Sequence, residues 1–331
     1  MLNADAVENV ALPHVATIPV LGLPTRFATN DPAMLEIVDE AFGVWRALGG
    51  HNAIEAAAGH RVVVQIVVTE EQPGLDGDPR DATIRHHMSD DLRFVAEWGD
   101  SFAATEPARR LATIRVSRAV VADRARFRTE MLEAAVLALL SCYDRHPVHA
   151  AAVAHRGHAL LLAAPSGTGK STLAYLCHAA GLDLLGDDHV RVQLAPSLRV
   201  WGWPGRVRLL ADTAARMGVT QPAEVLANGK RKAVIETRHG MGAGQLVADE
   251  ATVCVLSRDG GAVSLAPLDP EALARALESQ LAPGFDRFPS RWPDVLRALT
   301  AHGGWRLNLS ADAHDALPVV RDLLARAGRR G

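Results

Sequence analysis

Between the apolar run Ala159 to Ala164 and a second apolar stretch, the chain carries Pro165-Ser166-Gly167-Thr168-Gly169-Lys170-Ser171-Thr172. Small residues at these positions let consecutive backbone N–H groups converge on an oxyanion. A lysine next to them can neutralise the β- and γ-phosphates of a nucleotide, and the following serine hydroxyl, at a helix N-terminus, is placed to ligand Mg²⁺. Ser166, Gly167, Thr168, Gly169, Lys170, Ser171 and Thr172 are therefore candidate nucleotide-binding residues, and the chemistry they imply is that of a nucleoside triphosphate held with Mg²⁺. The usual loop opens with glycine five residues before the Gly-Lys pair. Here that slot holds Ala164, where strand passes into loop and a small residue suffices.

After an expected helix from Thr172 to Ala180 and a Gly181 stop comes Leu182-Asp183-Leu184-Leu185-Gly186-Asp187-Asp188-His189-Val190-Arg191-Val192, with Asp187 seventeen residues beyond Lys170. It predicts a short apolar strand tipped by two carboxylates. Ligands of open α/β sheets sit beyond the carboxyl ends of strands, so Asp187 and Asp188 are expected to face the phosphate loop. One can hold Mg²⁺ or its water, and the other can take the proton of an attacking hydroxyl. Strand alternation favours such a division, with Asp187 as base and Asp188 on the metal, although a shift of one residue in the strand end would exchange them. Upstream, residues 150–154 predict a strand that turns at Arg156-Gly157 and returns into the loop, so that His149 starts beside the phosphates.

The order of these three elements resembles the catalytic domain of the HPr kinase/phosphorylase family, over about His149 to Val192. The strand His149-Ala150-Ala151-Ala152-Val153, the segment Pro165 to Thr172 and the segment Gly186 to Val192 are similar to that family's His-Gly strand, Ser-Gly-x-Gly-Lys-Ser loop and Asp-Asp strand tip. The resemblance implies an α/β fold, in which a C-terminal phosphate-loop kinase domain follows a smaller N-terminal α/β domain. It also implies ATP and Mg²⁺, catalytic roles for Asp187, Asp188, His149 and Lys170, a serine or threonine acceptor on a protein or peptide, and a homo-oligomer. The family's later Glu-x-Arg-Gly signature is similar in part to Ile235-Glu236-Thr237-Arg238-His239-Gly240, which offers Glu236 as a metal ligand beside Ser171 and Asp188, or as a plain strand-end carboxylate.

The rest of the chain must position this machinery. At 331 residues, 48% of them hydrophobic and 5% aromatic, it holds enough apolar material for two domains. A formal charge of -3 without a sustained basic run argues against nucleic acid as a partner. The three cysteines, Cys142, Cys177 and Cys254, lack Cys-x-x-Cys spacing and predict reduced thiols, with Cys177 in the core. No apolar run reaches membrane-spanning length and no basic-then-apolar leader opens the chain, so the expectation is a cytoplasmic protein with no membrane partner. His146/His149 and His155/His158 lack the third ligand that zinc would need.

Residues 1–125 predict an α/β domain that selects the acceptor, with a helix after Asn30-Asp31-Pro32 burying Met34, Ile37, Val38, Ala41, Phe42 and Trp45. Residues 61–69, 92–98 and 110–116 predict its strands, and 72–81 a loop. Residues 126–331 predict the catalytic domain, opened by a bridging helix over about 126–143. Beyond the acidic pair, Trp201 to Leu210 predicts either a packed hairpin or a loop offering an arginine to the transferred phosphoryl group, and residues 228–232 a turn with three cations. Strands over 251–257, 262–266 and 305–309 and helices over 270–281 and 316–327 complete the expectation, with a loop at 283–293. The function expected from these residues is an ATP-dependent kinase of a hydroxyl acceptor. Its rivals are a kinase of a small hydroxylated metabolite and a nucleotide-binding regulatory module without transfer.

Overall fold

The computed structural model describes residues 10–48, 61–70, 78–89, 93–203, 206–220, 223–225, 231–236, 246–279 and 291–327. The expected loops over 72–77 and 283–290, Pro204-Gly205, Asn228 to Lys230 and Thr237 to Gly240 lie outside them. The chain divides into two compact units, Met1–Tyr143 and Asp144–Gly331.

The first unit is built on a seven-stranded sheet, order β1-β2-β3-β7-β6-β5-β4. Its strands are β1 (His14–Val20), β2 (Leu23–Thr29), β3 (Val62–Thr69), β4 (Arg85–Met88), β5 (Phe94–Trp98), β6 (Ser101–Glu106) and β7 (Leu111–Ser117). Strands β2, β3 and β7 are mutually parallel and the outer pairings are antiparallel. The helix Ala33–Phe42 between β2 and β3 buries Met34, Ile37, Val38, Ala41 and Phe42, the spacing of one helical face. Its start is fixed by Asp31, whose Oδ1 accepts the Ala33 N–H at 3.0 Å. Asn30 extends the β2–β3 pairing with its side chain, donating to the Val68 carbonyl and accepting the Val68 N–H, both at 2.8 Å.

After β7 the chain winds through a helical run that ends in Ala134–Ser141, with a π-helical stretch over Arg128–Glu133. Its last helix packs on β5, β6 and β7, burying Ala135, Val136, Leu139 and Leu140. That packing corrects the expected boundary at 125/126. The apolar face of the predicted bridging helix is consumed by the first sheet, so the helix belongs to the first unit and the division falls after Tyr143.

The described residues of the second unit form three sheets. The strands are β8 (His146–Val148), β9 (Ala151–His155), β10 (His158–Ala163), β11 (Asp183–Gly186), β12 (Val190–Gln193), β13 (Arg199–Trp201), β14 (Arg206–Leu210), β15 (Ala223–Val225), β16 (Arg231–Glu236), β17 (Val247–Ala248), β18 (Glu250–Ser257), β19 (Ser264–Leu268) and β20 (Gly304–Asn308). The central sheet runs β11-β9-β10-β18-β20-β19, flanked by β17-β13-β12-β8 and by β14-β16-β15.

Strands β10, β18 and β20 are parallel, and β9 is antiparallel to both β10 and β11. It follows that β10, β11, β18 and β20 all end at one edge of the sheet, where β9 begins. The β9–β10 turn is two residues long, with Arg156 at φ 50° and Gly157 at φ 84°, the left-handed pair that a tight hairpin demands.

Strand β10 reads as a continuous apolar run because both its faces are covered. Leu160 and Leu162 pack with Leu173, Ala174 and Cys177 of the helix Lys170–Ala179 and with Val320, Leu323 and Leu324 of the helix Leu317–Ala327. Ala159, Leu161 and Ala163 pack on the other side with Leu273, Leu277, Val295, Leu296 and Leu299. Each buried leucine contributes about 1.5–3 kcal/mol, which anchors the strand that carries the loop. Cys177 and Cys254 are unpaired and buried in the first of these layers, and burial pushes both thiols up to about 12, far from reactive thiolate.

Of the two expectations for Trp201 to Leu210, the packed hairpin is not formed by the described residues. Strand β13 pairs with β12 and β17, whereas β14 pairs with β16 in a different sheet. Gly202 lies against β11, where a Cβ would meet the Leu185 carbonyl oxygen at 2.8 Å, and the Trp203 N–H donates to that carbonyl at 2.6 Å. Among the described residues no helix is long and apolar enough to cross a membrane.

Candidate functional site

The candidate residues gather where β10, β11, β18 and β20 end. The loop leaves β10 at Ala164 and enters the helix Lys170–Ala179. Gly167 has φ +92° and Gly169 φ +123°, while Ala164 is not among the residues of positive φ. The opening slot of the loop therefore takes an L-residue without strain, and the buried Ala164 fills it. Gly169 is different: a Cβ there would meet Leu309 Cδ1 at 3.3 Å and Arg258 Nη2 at 3.5 Å, in a conformation already adverse to side chains. Gly169→Ala is expected to lower stability by about 1–2 kcal/mol from backbone strain alone and to displace the loop from Leu309, read as a fall in Cm at unchanged m in urea.

Lys170 is buried, and its Nζ donates to the Ala164 carbonyl at 2.7 Å, spanning the loop from its last residue to its first. Burial pushes its ammonium below the ordinary lysine range; Asp188 and Asp187 oppose that shift and Lys232 adds to it. Ser171 Oγ donates to the backbone carbonyl of Asp187 at 3.4 Å, which ties the helix start to the acidic turn. Thr168 closes the loop on Pro165, whose carbonyl accepts both its N–H at 3.3 Å and its hydroxyl at 3.0 Å.

The acidic pair lies in a bend between β11 and β12, just past the strand end that the sequence predicts. Gly186 makes the bend possible, since a Cβ there would lie 2.6 Å from the His189 carbonyl oxygen. The two carboxylates have different surroundings. Asp187 is buried, and its Oδ2 accepts the Arg208 backbone N–H from β14 at 2.7 Å. Burial raises its pKa above the usual carboxylate range, against the pull of that N–H, with Asp188 adding to the rise.

Asp188 is 37% exposed and lies between two imidazoles, with His149 Nε2 3.0 Å from Oδ1 and His189 Nε2 3.4 Å from Oδ2. Burial would raise this carboxyl too, but the His149 hydrogen bond, the His189 and His149 charges and then Lys170 outweigh it and hold Asp188 well below the ordinary value. An ionised carboxylate only accepts, so His149 Nε2 carries the hydrogen. The structure thus brings His149, Lys170, Ser171, Asp187 and Asp188 to one place. Glu236 is the last residue of β16, opposite Arg206 in register, and its side chain lies outside the described residues.

Oxygen donors from Ser171 and an ionised Asp188 are the hard ligands that suit Mg²⁺, which ordinarily takes one or two carboxylates and completes its shell with substrate phosphates and water. Among the described residues no group of three His, Cys, Asp or Glu side chains is arranged to hold a metal ion. His146 is 2.9 Å from Asp144, two residues before it in sequence, and His158 of β10 lies between Glu250 and Thr252 of the neighbouring β18.

Sequence reasoning passed over Arg258. It follows β18 directly, and its Nη1 donates to the carbonyl oxygens of Ser310 at 2.6 Å and Ala311 at 3.3 Å, with Nε 3.5 Å from the Thr168 carbonyl. The guanidinium ties the loop to the segment after β20. Its only sequence signal is its position just past an apolar strand.

No family model matches the chain, and no curated protein matches it. Among solved structures, the HPr(Ser) kinase/phosphatase from Coxiella burnetii is similar to it at 12% sequence identity, over 56% of this chain and 97% of that one, with a TM-score of 0.29. The likeness is a distant one, of fold.

Proposed function

We propose that the second unit is a phosphate-loop kinase domain that transfers the γ-phosphoryl group of ATP to a hydroxyl acceptor, a serine or threonine of a protein or peptide. The observation that carries this reading is the joining of the Ser-Gly-Thr-Gly-Lys-Ser loop to the acidic bend, through Ser171 Oγ on the Asp187 carbonyl at 3.4 Å. A strand-borne anion loop alone would fit any nucleotide binder. A buried carboxylate and an ionised one at its mouth supply what transfer to a hydroxyl needs beyond binding.

In this reading the backbone N–H groups of residues 166–171 and the Lys170 ammonium hold the β- and γ-phosphates. Ser171 and Asp188 would hold Mg²⁺, with Glu236 as a further candidate ligand; when bound, the ion neutralises phosphate charge. His149 orients Asp188 through their 3.0 Å hydrogen bond. Asp187, raised towards neutral pH by burial, accepts the acceptor's proton. The acceptor is selected by the first unit, which carries no phosphate loop of its own, and the assembly is a homo-oligomer by analogy with the family that the motif order resembles.

The test is direct. Purified full-length protein is expected to bind ATP in a Mg²⁺-dependent manner in isothermal titration and to pass labelled γ-phosphate to serine- or threonine-bearing peptides, or slowly to water. Binding with no transfer to any hydroxyl would favour the nucleotide sensor. A chain of residues 144–331 is expected to keep the Mg-ATP affinity within about threefold, a change of under about 0.7 kcal/mol. Loss of binding by that chain, folded by near-UV circular dichroism, would make nucleotide binding a property of both units.

A further inference from the structure

The β14–β16 pair turns one face into the core, where Val207 and Leu209 lie opposite Ile235 and Ala233. Side chains alternate along a strand, so Arg208 projects from the other face, with Val234 directly across and Lys232 one diagonal away. The edge of β14 meets the site through the Arg208 backbone, and the charges of both cations are felt there. The Arg208 N–H is bonded to Asp187 Oδ2 at 2.7 Å, the Arg208 charge acts on Asp187 and His189, and the Lys232 charge acts on Lys170 and Asp187.

Arg208 Nε is buried and has no hydrogen-bond partner among the described residues. Such a group is costly to leave unmade and is uncommon unless something else satisfies it. Its neighbours identify what would. Two cations on one strand pair converge with Lys170 around the carboxylate read as the base, and the ligand that suits them is a multiply charged anion seated between the loop and Asp187.

We propose that Arg208, with Lys232 beside it, forms a second cationic wall that binds the equatorial oxygens of the phosphoryl group during transfer. This rests on the kinase reading. In the step, the acceptor oxygen forms its bond to the γ-phosphorus as the bond from that phosphorus to the β,γ-bridging oxygen breaks. The electron pair of the broken bond leaves with ADP, and the hydroxyl proton passes to Asp187. Negative charge is then spread over three equatorial oxygens, which a planar guanidinium can meet with two parallel N–H groups. Because the Arg208 backbone also holds Asp187, one residue sets the base and the charge acceptor in register.

The test uses full-length protein, Mg-ADP, and Mg-ADP with aluminium fluoride, which mimics the phosphoryl group in flight. Wild type is expected to bind the fluoride complex more tightly than Mg-ADP alone. Arg208→Gln keeps the backbone N–H to Asp187 and is expected to leave Mg-ADP affinity unchanged while losing about 10²-fold or more of the fluoride increment. Arg208→Lys is expected to recover part of it, and Lys232→Gln to lose about tenfold. A full increment in Arg208→Gln would overturn the proposal and leave the kinase reading standing. Absence of Mg-ADP binding by wild type would overturn the kinase reading and this proposal with it. If Arg208→Gln does not fold, Lys232→Gln decides, and an undiminished increment there overturns the cationic wall.

Discussion

Asp187→Asn is expected to slow phosphoryl transfer by about 10²–10⁴-fold, the range for loss of a positioned general base, with Mg-ATP affinity changed no more than a few-fold. The two carboxylates differ in the property that matters for this role. A base must take a proton near neutral pH, and burial raises Asp187 in that direction, whereas Asp188 is held ionised by its imidazole partners. The amide keeps an oxygen that can still accept the Arg208 N–H, so the bend should survive the substitution. Asp188→Asn is expected instead to raise the Mg²⁺ concentration needed for half-maximal rate. Single-turnover transfer from labelled ATP over a Mg²⁺ series separates the two, and full activity in both variants would refute the mechanism.

The sign of the pH dependence follows from the same shift. Asp187 acts as base only when ionised, so the wild-type rate is expected to fall as pH drops through its raised pKa, at a higher pH than an ordinary carboxylate would give. In Asp187→Asn that acidic limb should vanish from the residual rate. Asp188, depressed, contributes no limb near neutrality.

Much of the second unit was legible because its signals are local. The apolar run of β10, the glycines of the loop and the Arg156-Gly157 turn each fix a backbone conformation within a few residues, and the hairpin, loop and helix form where those signals put them. The same hairpin predicts His149 near the loop, and the structure adds its 3.0 Å contact with Asp188. The less legible features depend on pairings between distant segments. Nothing near Arg206 shows that its strand pairs with β16 rather than with the tryptophan-bearing segment just before it, because both choices bury the same Val207 and Leu209 pattern. Arg258 is invisible for a similar reason, since the partners that give it meaning lie some fifty and ninety residues away.

The domain boundary failed on a different point. The helix ending at Ser141 is apolar nearly all round in sequence, which says that it is buried but not which sheet it covers. Only the packing against β5 to β7 assigns it to the first unit.

Lys170→Ala is expected to weaken Mg-ATP binding by about 10–100-fold, equivalent to about 1.5–3 kcal/mol for hydrogen bonds to a charged group. Ser171→Ala should raise the Mg²⁺ requirement with a smaller loss of nucleotide affinity. The buried ammonium already bonds the Ala164 carbonyl, so alanine removes both a loop cross-link and the phosphate cation. Stability must therefore be measured beside affinity. Lys170→Met, which keeps the buried stem without the charge, separates the two effects: lost affinity at wild-type stability assigns the loss to phosphate. Because burial lowers the Lys170 pKa, the charged form gives way at a lower pH than for an exposed lysine. Wild-type affinity should accordingly decline as pH rises through that lowered value, and the decline should be missing in Lys170→Met. Unchanged Mg-ATP affinity in Lys170→Ala and Ser171→Ala together would remove the phosphate-loop assignment, and with it the reading of the acidic bend as a phosphoryl-transfer site.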